Sequence, residues 1–416
     1  MRTSARSGDA SQPDETTSNE RGGLVLSLFT GAGGLDLGLE AAGYQTVAYV
    51  ENNEDCLATL EFNRPSWKRL EPLDAVIAAR KLRSRDIGLE PGEVDILAAG
   101  PPCQPFSSAA QWLPSGRRGM EDDRAETVRA TVGFVRVFQP KVLLIENVIG
   151  FVRADDGAMR VLRAGLQRIN RDLGTEYDLH HVVLDAADYG VPQHRRRALV
   201  VASRDGKNLV PPPPTHVDRP MRAWDAIGEL PDPGSDVLPL GTWASDLLPS
   251  IPEGGNYQWL TAKGGGDEVF GYRTRYWSFL LKLAKDRPSW TLSASGGPST
   301  GPFHWNNRQL TVRERLRLQS FPDDWKLSGS VRSQVRMAGN ATPPLLAEII
   351  GRAIAQQILH PGTTLDQRTS LSLPRKRTVP AAVDPVPVPE RLRYLIGNKK
   401  AHPGAGFGPS PRHPGS

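Results

Sequence analysis

A strand, a glycine-rich turn and a helix follow one another in LVLSLFTGAGGLDLGLEAAG at 24–43, and this succession limits the folds open to the chain. LVLSLF (24–29) is apolar on both of its faces, as a strand covered on both sides must be. The pattern recurs in TVAYVE (46–51), VDILAA (94–99), KVLLIENV (141–148), VVLDAADYG (182–190) and RALVVAS (197–203), with helical stretches between several of them. Strands rich in Val, Ile and Leu that alternate with helices predict an α/β fold, doubly wound, with a mostly parallel sheet.

At 416 residues the chain has room for more than one domain. Residues 1–22 are polar and aperiodic and read as disordered. The α/β texture covers 23–204, gives way at 205–305, and helical pattern returns over 306–360. The middle region holds six of the nine tryptophans among Gly, Pro and short apolar pieces. It predicts a smaller, irregular, mostly β domain whose aromatics fill a small core. Residues 361–416 are Pro-rich and basic, a tail expected to be disordered that either makes nonspecific contacts through its charge or is inert.

The net charge of +5 belongs to that tail: residues 361–416 carry nine Lys/Arg against three Asp/Glu, and the remainder 42 against 43. Global charge is therefore weak evidence for a nucleic-acid partner of the body. Two cysteines, Cys56 and Cys103, cannot build a disulfide framework or a cysteine-rich zinc site, so no metal is expected. With no apolar h-region and no spanning run, the chain is expected in the cytoplasm, away from membranes.

Four motifs carry chemistry. The turn after the first strand has Gly31 and Gly33 but Asp36 where a dinucleotide fingerprint needs a third glycine. Glu51 ends the next strand, where a carboxylate can accept from ribose hydroxyls, so the pair suggests a nucleoside-bearing cofactor. Asp74 either reaches an adenine amino group or caps a loop. GPPCQPFS (100–107) mounts Cys103 among Pro101, Pro102 and Pro105 at a strand end, a candidate nucleophile on a stiff turn. A cysteine hydrolase with His180, His181 or His194 as partner is open at this point, as is an inert thiol. IENV (145–148) ends a strand in Glu146, either a helix cap or a carboxylate put to use. In YGVPQHRRRALVV (189–201), a period of two puts Arg195 and Arg197 on one face, suited to a carboxylate, phosphate or base carbonyl.

Together these stretches resemble the DNA (cytosine-5) methyltransferase family of bacterial restriction–modification type. FTGAGG, Glu51, PPCQPFS, ENV and Q-x-R-x-R at Gln193–Arg197 stand in the family's order, as do RQLTVRERLRLQSFPDDW (308–325) and AGNATPPLLAEI (338–349). DDRAETV (122–128) matches only loosely, so Thr127 is left out of the expected site. The resemblance implies a doubly wound, Rossmann-like methyltransferase sheet, S-adenosylmethionine as cofactor, and a target-recognition domain over 205–305. It implies Phe29, Gly31, Gly33, Gly34, Glu51, Asp74, Gly100, Pro102 and Asn340 at the cofactor. Cys103, Glu146, Arg195 and Arg197 become the catalytic set, the two arginines orienting Glu146 and holding the base. Gln193, Arg117, Arg118, Arg273 and Arg275 become candidate DNA contacts, with Lys282 and Lys285 behind them.

The implied partner is double-stranded DNA, with a cognate restriction endonuclease as a further partner, although a solitary monomeric enzyme would carry the same motifs. The implied reaction is covalent: Cys103 adds to carbon 6 of a flipped-out cytosine, and the methyl group goes to carbon 5. Two rivals stay open on this scaffold, a transfer-RNA cytosine-5 methyltransferase and a catalytically silent DNA-binding regulator. A dehydrogenase fails for want of the third glycine and a nicotinamide-facing acid or base.

Overall fold

The structure is a computed structural model that describes residues 23–102, 126–153, 157–231, 233, 237–272, 277–294, 297–362 and 369–397. Seven strands form one sheet: β1 Leu24–Leu28, β2 Gln45–Val50, β3 Lys68–Arg69, β4 Ile96–Ala99, β5 Val142–Asn147, β6 His180–Asp185 and β7 Arg196–Ser203. Their order is β3-β2-β1-β4-β5-β7-β6. The pairs through β5 are parallel, and β7 runs antiparallel between β5 and β6. Strand order reverses beside β1, so the carboxyl ends of β1 and β4 open a crevice of the kind that binds ligands in doubly wound sheets.

Strand alternation explains the two helix layers. Leu26 and Leu28 join Ala48, Val50, Leu97, Ala99, Leu143 and Ile145 on one face. The helices α3 Ala75–Lys81, α4 Glu126–Phe138 and α5 Ala158–Leu173 cover it. Val25, Ile96, Ala98, Val142 and Leu144 point the other way, into a second core with α1 Gly34–Ala41 and the late helix α10 Pro344–Ile354. The α1–α10 contact is tight enough to need glycine: a Cβ on Gly38 would stand 2.2 Å from the Pro344 carbonyl oxygen, and one on Gly34 would stand 2.2 Å from that of Thr342, just before α10. Residues 342–354, late in the chain, thus complete the cover of the helix that follows the first strand. A third cluster joins α2 Glu54–Asn63 to α8 Val312–Leu318 and α9 Val331–Asn340 around Trp67 and Trp325.

The region 205–305 is irregular, but its described residues contain no named strand, which departs from the expectation of a mostly β domain. It holds the short helices α6 Ala223–Ile227 and α7 Thr242–Leu247 and isolated bridges such as Phe279–Thr300 and Lys282–Phe303. Frequent Gly and Pro break the ladders, and aromatic packing takes their place. Phe270 meets Trp243, Tyr257 and Phe279 edge-on, with centroids 5.5, 6.1 and 5.7 Å away.

Residues 369–397 do not behave as the expected loose tail. Glu348 on α10 accepts the backbone N–H groups of Ser370 and Leu371, and Asp225 on α6 accepts that of Lys376. Val388, Leu392 and Leu395 are buried in the aromatic core of 205–305. Proline-rich extended chain shows no helical or strand period, so its anchoring apolar residues carry no pattern to read. No helix among the described residues is long and apolar enough to cross a membrane.

Candidate functional site

A cavity of about 440 Å³ opens where β1, β2, β4 and β5 end. Its walls include Phe29, Gly31, Gly34, Glu51, Asp74, Gly100, Pro102 and Asn340, so these expected cofactor residues are brought together. Gly33 does not line it. That residue holds a φ of 78°, and a Cβ there would meet the Trp325 ring at 2.9 Å, so its role is to turn the chain against packed aromatics.

Glu51 is held by backbone. Its Oε2 accepts the Gly31 N–H at 2.8 Å, and its Oε1 accepts those of Asn52 and Asn53 at 2.9 and 2.8 Å. The glycine turn after β1 and the start of α2 are thereby locked to one carboxylate. Asp74 caps α3 through Oδ1, which accepts from Val76 and Ile77, and it also faces the cavity. The capping reading is thus seen directly, on a residue that also borders the cavity.

Asp36 lies beneath the same turn, fully shielded from water. Burial pushes its carboxyl up to about 6, against the Ser27 hydroxyl, which pulls it down. Cys56 also borders the cavity, yet burial and the nearby Glu51 charge push its thiol up to about 12. It is a packing residue, not a nucleophile.

At the other end of the cavity stand Glu146 and Arg197, an ion pair with Nε 2.9 Å from Oε1. β5 ends there, and β7 begins antiparallel beside it, so the two side chains meet across the strand pair. Asn147 donates from its side-chain amide to the Pro101 carbonyl oxygen at 2.9 Å. The end of β5 therefore fixes the backbone two residues before Cys103. Cys103 itself, with Arg117, Arg118, Arg273 and Arg275, lies outside the described residues.

Two members of the Q-x-R-x-R segment take roles other than those expected. Arg195 is fully buried and lies behind the cavity wall, donating from Nη2 to the carbonyl oxygens of Gly339 and Asn340 at the end of α9. Gln193 is fully buried too, so it offers no groove-facing surface. Its amide donates to the Leu318 carbonyl and its oxygen accepts from the Leu292 N–H, joining β7 to α8 and to the 205–305 region. Lys282 and Lys285 are also buried, the latter paired with Glu253 at 2.5 Å, so neither is an exposed basic contact. A period of two gives the direction of a side chain, but not the depth of what covers it.

Thr127, Arg336 and Met337 line the cavity and were not expected there. Thr127 lies within the loosely matching segment 122–128, and Arg336 and Met337 sit on α9, whose helical period gave no hint that its end faces β1. Both came within reach only through the long-range return of 306–360.

The sequence matches the family described as C-5 cytosine-specific DNA methylase over residues 24–356. The Type II methyltransferase M.SacI of Streptomyces achromogenes is 35% identical over 372 residues, covering 80% of this chain and 93% of that protein. M.Eco47II of Escherichia coli is 33% identical over 357 residues, with 82% and 81% covered. Among solved structures, a mutant of Spodoptera frugiperda DNMT2 aligns with a TM-score of 0.54 at 17% identity, covering 80% of this chain and 99% of its own. The Entamoeba histolytica methyltransferase EhMeth aligns at 0.54 and 16%, covering 81% and 99%. At such identity these two bear on the fold alone.

Proposed function

The chain belongs to the C-5 cytosine-specific DNA methylase family, and from that premise we infer how its own residues divide the work. It is a DNA cytosine-5 methyltransferase, similar to the methyltransferases of Type II restriction–modification systems. The observation that carries the residue assignment is the Glu146–Arg197 pair, set at one end of a cavity whose other end holds Glu51.

The donor set fits S-adenosylmethionine. Glu51 has about four lone-pair positions, and three backbone N–H groups take all but one, which leaves an acceptor for a ribose hydroxyl. Asp74 uses Oδ1 as a cap and has Oδ2 for an adenine amino group, with Phe29, Leu73 and Val76 flanking an apolar ring. The volume lies within the roughly 300–1,000 Å³ typical of small-molecule sites. When bound, S-adenosylmethionine supplies an electrophilic methyl group.

The cytosine must leave the duplex to enter the cavity, at a cost of a few kcal/mol offset by pocket contacts. The Cys103 thiolate forms a bond to carbon 6. Glu146 hydrogen-bonds and protonates ring nitrogen 3, so the displaced electron pair collects on carbon 5, where the methyl group is received. The carbon 5 proton then departs to a base, the sulfur–carbon 6 bond breaks, nitrogen 3 returns its proton to Glu146, and the ring regains its aromaticity. Arg197 holds Glu146 in place and faces charge that develops on the ring. Arg195 is a positioning residue that ties β7 to the cofactor-side end of α9.

The substrate is proposed to be a specific duplex word, and a cognate endonuclease cutting that word is the proposed biological partner. The deciding experiment is bisulfite sequencing of DNA from cells expressing the protein, with Cys103→Ser as control. Conversion-resistant cytosines at one recurring word are expected only with the wild type. Methyl transfer to transfer RNA and not to duplex DNA would overturn the reading.

A further inference from the structure

A second pocket, about 530 Å³, sits where β6 ends and β7 begins, lined by Asp185, His194, Arg196, Trp277, Trp290 and Thr291. Trp277 and Trp290 are 42% and 39% exposed, yet they stand edge to face with centroids 5.2 Å apart. Two large aromatic faces left open to water beside each other are costly to keep unless something covers them. Tryptophans elsewhere in the region, such as Trp224 and Trp305, pack against each other within a core.

The pocket is built, not incidental. Ser289 and Pro192 exchange hydrogen bonds with the opposite segment: the His194 N–H donates to Ser289 O at 2.8 Å, and the Ser289 N–H donates to Pro192 O at 2.9 Å. The Thr291 hydroxyl donates to His194 O at 2.6 Å. Trp290 is thus held between two residues pinned to the lead-in of β7. His194 pairs with Asp185 at 3.2 Å, a contact that holds the imidazole above its usual range and offsets the one carboxylate present. Arg196 is exposed and adds a cation.

Its place relative to the cavity decides the ligand. Arg196 and Arg197 are consecutive residues of β7, so their side chains leave on opposite sides of one strand, with Cα atoms about 3.8 Å apart. Arg197 reaches Glu146 in the catalytic cavity, and Arg196 borders the aromatic pocket. The two sites thus flank the start of β7, near enough in the chain to be reached from one DNA strand. Flat aromatic faces with an adjacent cation suit a base and its phosphate.

We propose that the pocket binds an unstacked nucleotide neighbouring the target cytosine, its base against Trp277 and Trp290 and its phosphate on Arg196. The proposal rests on the DNA methyltransferase reading for its biological role, but not for its first test. That test measures binding of a single strand of about eight thymidines to the full chain by tryptophan fluorescence. Trp277→Ala, Trp290→Ala and Arg196→Ala are each expected to weaken it about tenfold or more, with S-adenosylmethionine binding unchanged. Trp290→Phe, which keeps an aromatic face, is expected to restore most of the affinity. On the duplex word found by bisulfite sequencing, the alanine variants are expected to raise KM for DNA about tenfold while kcat falls far less. Alanine variants that match the wild type within twofold in both assays overturn the proposal. So does a Trp290→Phe variant as weak as Trp290→Ala with a wild-type circular dichroism spectrum. If the wild type methylates no duplex but the oligonucleotide result holds, the pocket stands and the DNA methyltransferase reading falls instead.

Discussion

Arg197 Nε lies 2.9 Å from Glu146 Oε1, and their side chains are only 12% and 9% exposed. Two opposite charges so shielded interact far more strongly than a surface pair. Neither is disposable. Glu146→Gln keeps the shape of the side chain but loses its proton chemistry, and should lower kcat about 10²- to 10⁴-fold with little change in cofactor affinity. Single-turnover methyl transfer beside calorimetric titration with S-adenosylmethionine separates the two effects.

The two arginines of the Q-x-R-x-R segment should part in experiment. Arg195→Ala removes a buried guanidinium that serves two carbonyls and is expected to cost about 2–4 kcal/mol of stability, seen as a lower Tm. Arg197→Ala strips Glu146 of its partner, so it too lowers the Tm, but its distinguishing effect is on kcat, which should fall about 10²-fold or more. Equal thermal behaviour with equal kinetic loss in both variants would contradict the division of roles.

Asp36 sets a pH dependence of stability. Its carboxyl rises from 3.8 to about 6 on folding, so the folded state binds the proton more tightly than the unfolded state. Stability from this group is full below about 3.8 and is lost as pH rises through about 6. The difference corresponds to about 3 kcal/mol at higher pH. Asp36→Asn should therefore raise the urea midpoint at pH 7.5 and leave it unchanged near pH 4.

The two thiols should differ sharply. Cys56, pushed up to about 12, holds almost no thiolate near pH 8 and should resist iodoacetamide in the folded protein. Cys56→Ala is expected to keep methyl transfer, whereas Cys103→Ser should abolish it. Mass spectrometry of the alkylated chain, followed by the two activity assays, checks both.

Gly34→Ala tests the closeness of α1 to the 342–344 turn. A Cβ 2.2 Å from the Thr342 carbonyl oxygen cannot be relieved by a side-chain rotation, so a loss of about 1–3 kcal/mol or more is expected, with weakened cofactor binding. A variant with wild-type Tm would show that the contact is looser than the structure has it.

The strands were legible because each is a short run of Val, Ile and Leu that ends in a recognisable break. VDILAA (94–99) resolves to Ile96–Ala99, and KVLLIENV (141–148) to Val142–Asn147. Glu51, Glu146 and Gly31 were legible for a related reason: polar or flexible residues at strand ends have few structural explanations. Depth was not legible. Gln193 and Lys285 look like groove-facing surface until the segments at 289–292 and 381 are seen to cover them. The same applies to α9, whose cavity-facing Arg336 donates to Ser333 one turn earlier, and Ser333 in turn donates to Asp55, distant in sequence. Long-range closure leaves no local period.

Residues 369–397 tie Glu348 to Asp225 and supply Val388, Leu392 and Leu395 to the aromatic core. Any shortened version ending near residue 360 would bare that core to water before it lost a single basic contact to DNA. Such a chain would tend to precipitate, and a drop in its DNA binding would report unfolding. Affinity tags and fusion partners therefore belong after residue 397.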